Sequence, residues 1–365
     1  MSNQVFIIAE AGVNHNGSLS MALELIDVAV EAGADAVKFQ TFQADQEISV
    51  YAPKAEYQRK TTAIQESQLE MVKRLELGLQ QHRELFDYCQ LKGIEFLSTP
   101  FDMGSLALLI NELKLKRIKI SSGDITTAPL MLNTARTGRE IILSTGMSTL
   151  GEVEEALGVL AFGYLNQEGK PSFKRFKEAY NLPEAYSVLR EKVSLLHCTT
   201  EYPAPSGEVN LKAIDTLKSA FNLRVGYSDH TEGITIPIAA VARGAEIIEK
   251  HFTLSKSLPG PDHKASLEPG ELKDMIKAIR QVEKALGSGK KVPAQSEMKN
   301  IVVARKGLVA RVSIKKGDIL SEENVTYKRP ANGLSPMIYW DVLGAQAIMD
   351  FEEDMEIAPN GIVFK

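Results

Sequence analysis

The chain has 365 residues, of which 44% are hydrophobic and 24% charged, with a formal net charge of −5. This balance excludes disordered, collagen-like and coiled-coil classes and leaves no overall electrostatic footprint for nucleic acid. Two cysteines, Cys89 and Cys198, support neither a disulfide framework nor a four-cysteine zinc site. No apolar run reaches the roughly 18 residues that span a bilayer, and Met1-Ser2-Asn3-Gln4 lacks signal-peptide character. A reducing, cytoplasmic setting is expected, with no membrane partner.

Apolar runs at Val5–Ala9, Ala36–Phe39, Ile94–Leu97, Arg117–Ile120, Glu140–Leu143, Val193–Leu196, Arg224–Tyr227 and Ala245–Glu249 predict eight strands. They are rich in Val, Ile and Leu without polar alternation, as in strands buried on both faces of a parallel sheet. Helical patterns separate them. Leu19–Glu31 carries one apolar stripe through Leu19, Ala22, Leu23, Ile26, Ala29 and Val30. Eight such units predict an α/β chain with a closed (β/α)₈ TIM barrel over residues 1–286 rather than an open doubly wound sheet.

Residues 41–79 form a long polar excursion with Lys54, Glu56, Arg59, Lys60, Gln65, Glu66 and Gln68, the kind of barrel loop that carries function. Residues 163–190 read as a solvated surface elaboration. Residues 287–300, small, charged and punctuated by Gly and Pro, read as a linker. The remainder, 301–365, predicts short strands at Leu308–Val312 and Ile357–Val363 and a helical start at Ser321-Glu322-Glu323-Asn324. A segment this small is expected to lean on another surface for its core.

Polar residues follow nearly every strand, and a barrel gathers all strand ends around one pocket. Glu10, after the first strand, suits an acid, base or water-orienting role. His15, between two asparagines, suits a cap for the first helix or a supporting role. Lys38 and Lys119 each sit inside an apolar strand end, where a lone ammonium is costly and a bound anion would compensate. Thr99, Ser122 and Ser144 supply hydroxyls from three strand ends, and together these groups suggest a cradle for phosphate plus carboxylate. A Schiff-base role for one lysine is the alternative. His230 and His251, one β/α unit apart, would converge on one point and suit a divalent metal with an otherwise open shell. Cys198 beside His197 is not a nucleophilic pair, because adjacent strand residues face opposite ways. Pro259-Gly260-Pro261-Asp262-His263-Lys264-Ala265-Ser266 reads as a lid or polar substrate clamp.

The ordered set Glu10-Ala11-Gly12-Val13-Asn14-His15, Lys38-Phe39-Gln40-Thr41, Ser98-Thr99-Pro100-Phe101, Ser144-Thr145-Gly146-Met147, Ser228-Asp229-His230, Glu249-Lys250-His251-Phe252, Gly260-Pro261-Asp262 and Lys328-Arg329-Pro330-Ala331-Asn332-Gly333 closely resembles the bacterial sialic acid synthase family. That family includes N-acetylneuraminate and legionaminic acid synthases, and the resemblance covers nearly the whole chain. It implies a (β/α)₈ barrel followed by a small antifreeze-like (SAF) domain, in a domain-swapped homodimer. The implied reaction joins phosphoenolpyruvate, an open-chain N-acyl-mannosamine and water to give a nine-carbon 2-keto acid and phosphate by C–O cleavage. N-acetylmannosamine is the expected acceptor, with 2,4-diacetamido-2,4,6-trideoxymannose as the alternative. The resemblance further implies a divalent ion, Mn²⁺ foremost with Mg²⁺ or Co²⁺ as alternatives, on His230 and His251. Phosphoenolpyruvate contacts would come from Lys38, Thr99, Lys119, Ser122, Ser144 and Ser228. Sugar contacts would come from Gln40, Asp124, Tyr202 and Asp262, with Glu10 beside the water and Arg329 of a partner chain at the N-acyl group.

Two positions depart from some relatives, which carry Glu in place of Asp124 and Asn in place of Thr200; the role of Thr200 is left open. Two other readings compete. One is a phosphoenolpyruvate-dependent synthase with an aldose-phosphate acceptor, for which no second arginine cluster is visible. The other is a non-catalytic ice- or sugar-binding protein, which the polar barrel rim disfavours.

Overall fold

Eight strands form where apolar runs predict them: β1 (Phe6–Gly12), β2 (Ala36–Thr41), β3 (Glu95–Pro100), β4 (Arg117–Ile120), β5 (Glu140–Ser144), β6 (Val193–Cys198), β7 (Arg224–Asp229) and β8 (Ile247–His251). The computed structural model describes residues 4–61 and 66–364; Gln65 and the Lys60 side chain of the polar excursion lie outside the described residues. All eight strands run parallel in the order β3-β2-β1-β8-β7-β6-β5-β4. β3 and β4 lie side by side without a ladder among the described residues, giving the (β/α)₈ barrel a single seam. Most strands run one to three residues past their predicted ends, because their last residues are polar.

Inward positions recur every second residue along a strand. The deepest such layer is apolar: Ile8, Ala36, Leu97, Ile142, Leu196 and Ile247 pack together, each almost wholly buried. Gly226 of β7 completes it by giving way. A Cβ there would lie 2.6 Å from Ile247 Cβ and 2.7 Å from Leu196 Cδ2. Outside the sheet, the helix Leu19–Ala32 buries Ala22, Leu25, Ile26 and Ala29. A fully buried Leu or Ile contributes about 1.5–3 kcal/mol by area. Ser18 caps this helix by accepting from the Met21 N–H. His15 does not; its Nδ1 accepts from the Gly17 N–H ahead of the helix.

Residues 163–190 are more than a solvated elaboration. They build helices Phe173–Tyr180 and Pro183–Lys192, which bury Ala179, Ala185 and Leu189 and set Phe176 edge-on against Phe162 at 5.4 Å. The excursion after β2 folds into short helices at Ala44–Glu47, Glu56–Thr61 and Gln68–Lys73, with the buried Lys54 ammonium 3.0 Å from Glu66.

The chain divides at Gly287/Ser288 into two compact units. The second unit opens with a helix, Met298–Ala304, which crosses the expected linker boundary. Its strands are β9 (Gly307–Ala310) paired antiparallel with β10 (Val325–Lys328), and β11 (Gln346–Ala347) paired with β12 (Ile362–Val363). The helical start expected at Ser321 is a turn, its amide donating to Asn324 Oδ1 at 2.7 Å. Contrary to expectation this unit has its own core: Leu308, Ala310, Ile314, Leu320, Val325, Val342, Ala345, Phe351, Ile357 and Ile362 pack together. No helix among the described residues is long and apolar enough to cross a membrane.

Candidate active site

Two residues beyond the apolar layer, the same strands turn polar side chains inward: Glu10, Lys38, Thr99, Ser144, Cys198, Ser228 and Glu249, joined by Lys119 from β4. All eight are buried. Lys38 Nζ lies 2.7 Å from Glu10 and 3.7 Å from Glu249, and donates to Thr99 Oγ1 at 3.2 Å. Lys119 Nζ lies 3.5 Å from Glu249, which also accepts from Ser228 Oγ at 2.8 Å. The two lysines are therefore not the lone ammonium groups that the sequence suggests. Glu10 and Glu249 balance them, and an incoming anion must share them.

The two carboxylates are driven apart. Burial dominates at Glu10 and, with Glu249 nearby, outweighs Lys38, pushing its carboxyl up to about 7. At Glu249 burial is outweighed by Lys119, Lys38 and the Ser228 hydrogen bond, which hold it below the ordinary range. Burial lowers Lys38 too, yet Glu10 and Glu249 prevail and keep it above the usual lysine value. Lys119 is held below that value by burial, against Glu249 and with Lys38. Such divergence separates a group that exchanges a proton near neutral pH from one that stays ionised.

Above this layer the strand ends bring His230 and His251 together, with ring centroids 5.6 Å apart. Tyr202 packs against both, at 4.2 Å and 5.6 Å. Glu10 and His251 flank Gly12, where a Cβ would lie 3.3 Å from Glu10 Oε1 and 3.4 Å from the His251 ring. Burial lowers His230 to about 4 and His251 well below the ordinary histidine value, so both imidazoles are neutral. His230 Nδ1–H donates to the Thr199 carbonyl at 2.6 Å, leaving Nε2 as the acceptor nitrogen, 3.5 Å from Ser228 Oγ. His251 Nδ1 is buried with no hydrogen-bond partner. On the outer face Lys250, itself fully buried, pairs with Asp229 at 2.6 Å and also donates to the Thr231 carbonyl, bracing the ends of β7 and β8. Among the described residues no group of three or more His, Cys, Asp or Glu is arranged to hold an ion. Two neutral imidazoles, one of them oriented by the Thr199 carbonyl, fit an ion whose remaining ligands are oxygens from water or substrate.

A cleft of about 200 Å³ beside His251 is lined by Gln40, Tyr202 and Asp262. Much of its remaining wall comes from the excursion after β2, including Phe42, Glu47, Ile48, Met71, Val72 and Leu75, with Val13, Phe101 and Pro261 from other segments. Ser122 Oγ meets Cys198 Sγ at 3.0 Å and accepts from the Gly146 N–H at 3.0 Å. Ser144 Oγ and Thr200 Oγ1 are buried without hydrogen-bond partners. Asp124 is taken up by its own turn, accepting from Ser121 at 2.6 Å and Thr127 at 3.4 Å. His197 turns away from Cys198 onto the Val209 carbonyl, so the two form no pair. Arg329 is exposed just past β10 in the second unit.

A model of the NeuB family matches residues 25–291, and a SAF domain model matches residues 305–362. The chain belongs to the NeuB family. It is 55% identical over 351 residues to the N,N'-diacetyllegionaminic acid synthase of Campylobacter jejuni subsp. jejuni, covering 96% of this chain and 98% of that one. It is 44% identical to the synthase of the same name from Legionella pneumophila, covering 94% and 91%. Among solved structures it is similar to the N-acetylneuraminic acid synthetase of Leptospira borgpetersenii, crystallised with citrate, at 37% identity and a TM-score of 0.65 over 82% of this chain and 90% of that one. This NeuB chain is thus an enzyme of the sialic and legionaminic acid synthase kind.

Two acidic groups of this NeuB site are absent from the sequence-based set. Glu249 stands within the quoted motif, and its signal is parity: it lies two residues after the inward Ile247. Glu47 sits in the polar excursion, where nothing in the spacing separates it from solvated neighbours. Burial, with Asp124 and Asp102 nearby, pushes it up to about 7.

Proposed function

We propose that this chain condenses phosphoenolpyruvate with an open-chain 2,4-diacetamido-2,4,6-trideoxymannose to give a legionaminic-type nine-carbon 2-keto acid and phosphate. N-acetylmannosamine, the acceptor that the sequence alone puts first, is the second reading. The preference rests on the 55% identity to a legionaminic acid synthase and on the apolar wall of Phe42, Ile48, Met71, Val72 and Leu75, which suits a deoxygenated C6 and an acylated C4. The observation that carries the reaction class is the buried quartet of Glu10, Lys38, Lys119 and Glu249 directly beneath two neutral imidazoles.

Lys38 and Lys119 are assigned to the phosphate and carboxylate of phosphoenolpyruvate, with Thr99, Ser122, Ser144 and Ser228 donating hydroxyls; the unpartnered Ser144 Oγ supports this. The alkene pair of phosphoenolpyruvate forms the new C–C bond to C1 of the sugar, whose carbonyl opens to a hydroxyl. Water adds at the carbon bearing phosphate, one of its protons passing by way of Glu10 to the C1 oxygen, and its other proton leaves with phosphate as the C–O bond breaks and the 2-keto group forms. His230 and His251 would hold a divalent cation, Mn²⁺ foremost, which when bound supplies Lewis-acid polarisation of the sugar carbonyl. Glu10, raised to about 7, takes the proton of the attacking water, while Glu249 stays ionised and fixes both lysines. Gln40, Tyr202 and Asp262 orient the acceptor. Asp124 is assigned to the acceptor by the resemblance alone, since its own turn engages both of its oxygens. By the same resemblance, Arg329 serves the acceptor in a partner chain of a domain-swapped homodimer.

Product mass spectrometry with phosphoenolpyruvate and each sugar in turn tests this reading. A product from the diacetamido sugar at much the higher kcat/KM supports it. Preference for N-acetylmannosamine reverts it to the second reading, and phosphate release with neither overturns the reaction class.

A further inference from the structure

The loop that carries Asp262 into the cleft is tied down by residues of the β1 loop that contribute nothing to the cleft themselves. His263, the next residue, is fully buried although it belongs to a surface connection. Burial holds its ring well below the ordinary histidine value, at about 4, so one nitrogen donates and the other accepts. Asn16 Oδ1 can only accept and lies 3.3 Å from Nε2, which therefore carries the ring proton and leaves Nδ1 to accept from the Thr253 hydroxyl at 2.6 Å. Asn16 Nδ2 donates in turn to the Pro259 carbonyl at 2.8 Å, so one asparagine side chain grips both sides of the turn.

Two further features point the same way. Gly260 has φ 149°, and a Cβ there would lie 2.7 Å from the His263 ring and 2.8 Å from Asn16 Oδ1; only glycine lets the turn close onto the pair. On the other side, Asn14, almost wholly buried, donates to the Phe252 carbonyl at 2.8 Å and to Ser266 Oγ at 2.9 Å. Ser266 Oγ donates to the Asp262 carbonyl at 2.7 Å. Asp262 is therefore anchored before, at and after its own position. Its carboxyl is buried and lines the cleft.

We infer that Asn16 and His263 form a latch across the Gly260 turn that holds the Asp262 carboxyl toward the acceptor, making both of them positioning residues for acceptor binding. The inference rests on the reading of Asp262 as an acceptor contact. The latch joins the segment after β8 to the loop after β1, the strand that carries Glu10. The acceptor is thereby referenced to the group that handles the water, without either asparagine or the histidine touching substrate.

The test uses the full-length chain and phosphate release, varying acceptor and phosphoenolpyruvate separately, with Asp262→Asn measured in parallel. His263→Ala should raise the acceptor KM by about tenfold or more while the phosphoenolpyruvate KM stays within about twofold. Asn16→Ala should move it in the same direction by less, and His263→Gln, which keeps a donor toward Asn16, should recover part of the loss. Asn16 is partly exposed, so its replacement carries the test if His263→Ala does not fold. An acceptor KM raised by Asp262→Asn but untouched by Asn16→Ala overturns the latch alone. An equal rise in both KM values reduces the pair to a general structural role and also overturns it. An unchanged acceptor KM in Asp262→Asn overturns the acceptor reading and the latch together.

Discussion

Two layers of the barrel interior lie one pleat apart on the same strands and are equally buried, yet they do opposite work. Ile8, Ala36, Leu97, Ile142, Leu196 and Ile247 fill the lower layer with aliphatic side chains. Two residues further on, Glu10, Lys38, Thr99, Ser144, Cys198 and Glu249 fill the upper one. The lower layer gains stability from every atom it removes from water. Together with Lys119 the upper layer buries four ionisable groups, and desolvation of such charges offsets most of their mutual attraction. Burial alone therefore does not mark a core. What separates the two layers is whether removing a side chain costs packing or leaves a charge unbalanced.

Breaking the charge balance should give the largest effect. Glu249→Ala leaves Lys119 without its nearby carboxylate and should destabilise the fold by about 3–5 kcal/mol in urea melts. Turnover should fall about 10²–10³-fold in what remains folded. A variant as stable and active as the parent would show that the quartet is not coupled. Next in size, Leu196→Ala removes packing from the lower layer and should cost about 2–5 kcal/mol, with both KM values close to the parent's. A large KM change there would show that the two layers are not separable.

The smallest effect lies at the rim. Glu47 keeps its proton longer in the folded chain than in the unfolded one, so its contribution to stability is present below its ordinary value of 4.5 and drains away as pH rises toward about 7. Glu47→Gln should therefore gain about 1–2 kcal/mol over the parent at pH 8 and almost nothing at pH 4, read as the difference in Tm. Equal gains at both pH values would mean that the carboxyl is not desolvated in the cleft.

Much of this was legible from residue patterns because a two-sided parallel strand is a run of Val, Ile and Leu. The same rule hid the strand ends. β6 runs through His197 and Cys198 and β7 through Ser228 and Asp229, where polar residues end the apolar signal before the ladder ends. Lys38 and Lys119 stood out as misplaced charges, but their partner Glu249 did not, because pairing across strands depends on register, which no single strand reveals. The core of the second unit was missed for a related reason. Leu308, Leu320, Val342 and Phe351 are isolated apolar residues that meet only after the chain has turned repeatedly. Tyr202, Asp262 and Gln40 stand far apart in the sequence and share one cleft only because the fold gathers their strand ends.

The independent core of the tail has a practical corollary. A segment that satisfies its own hydrophobic demand can be moved as a cassette, carrying its exposed arginine with it. Chimeras that splice at Gly287 are the natural place to ask how much of the choice among acylated sugars travels with the tail.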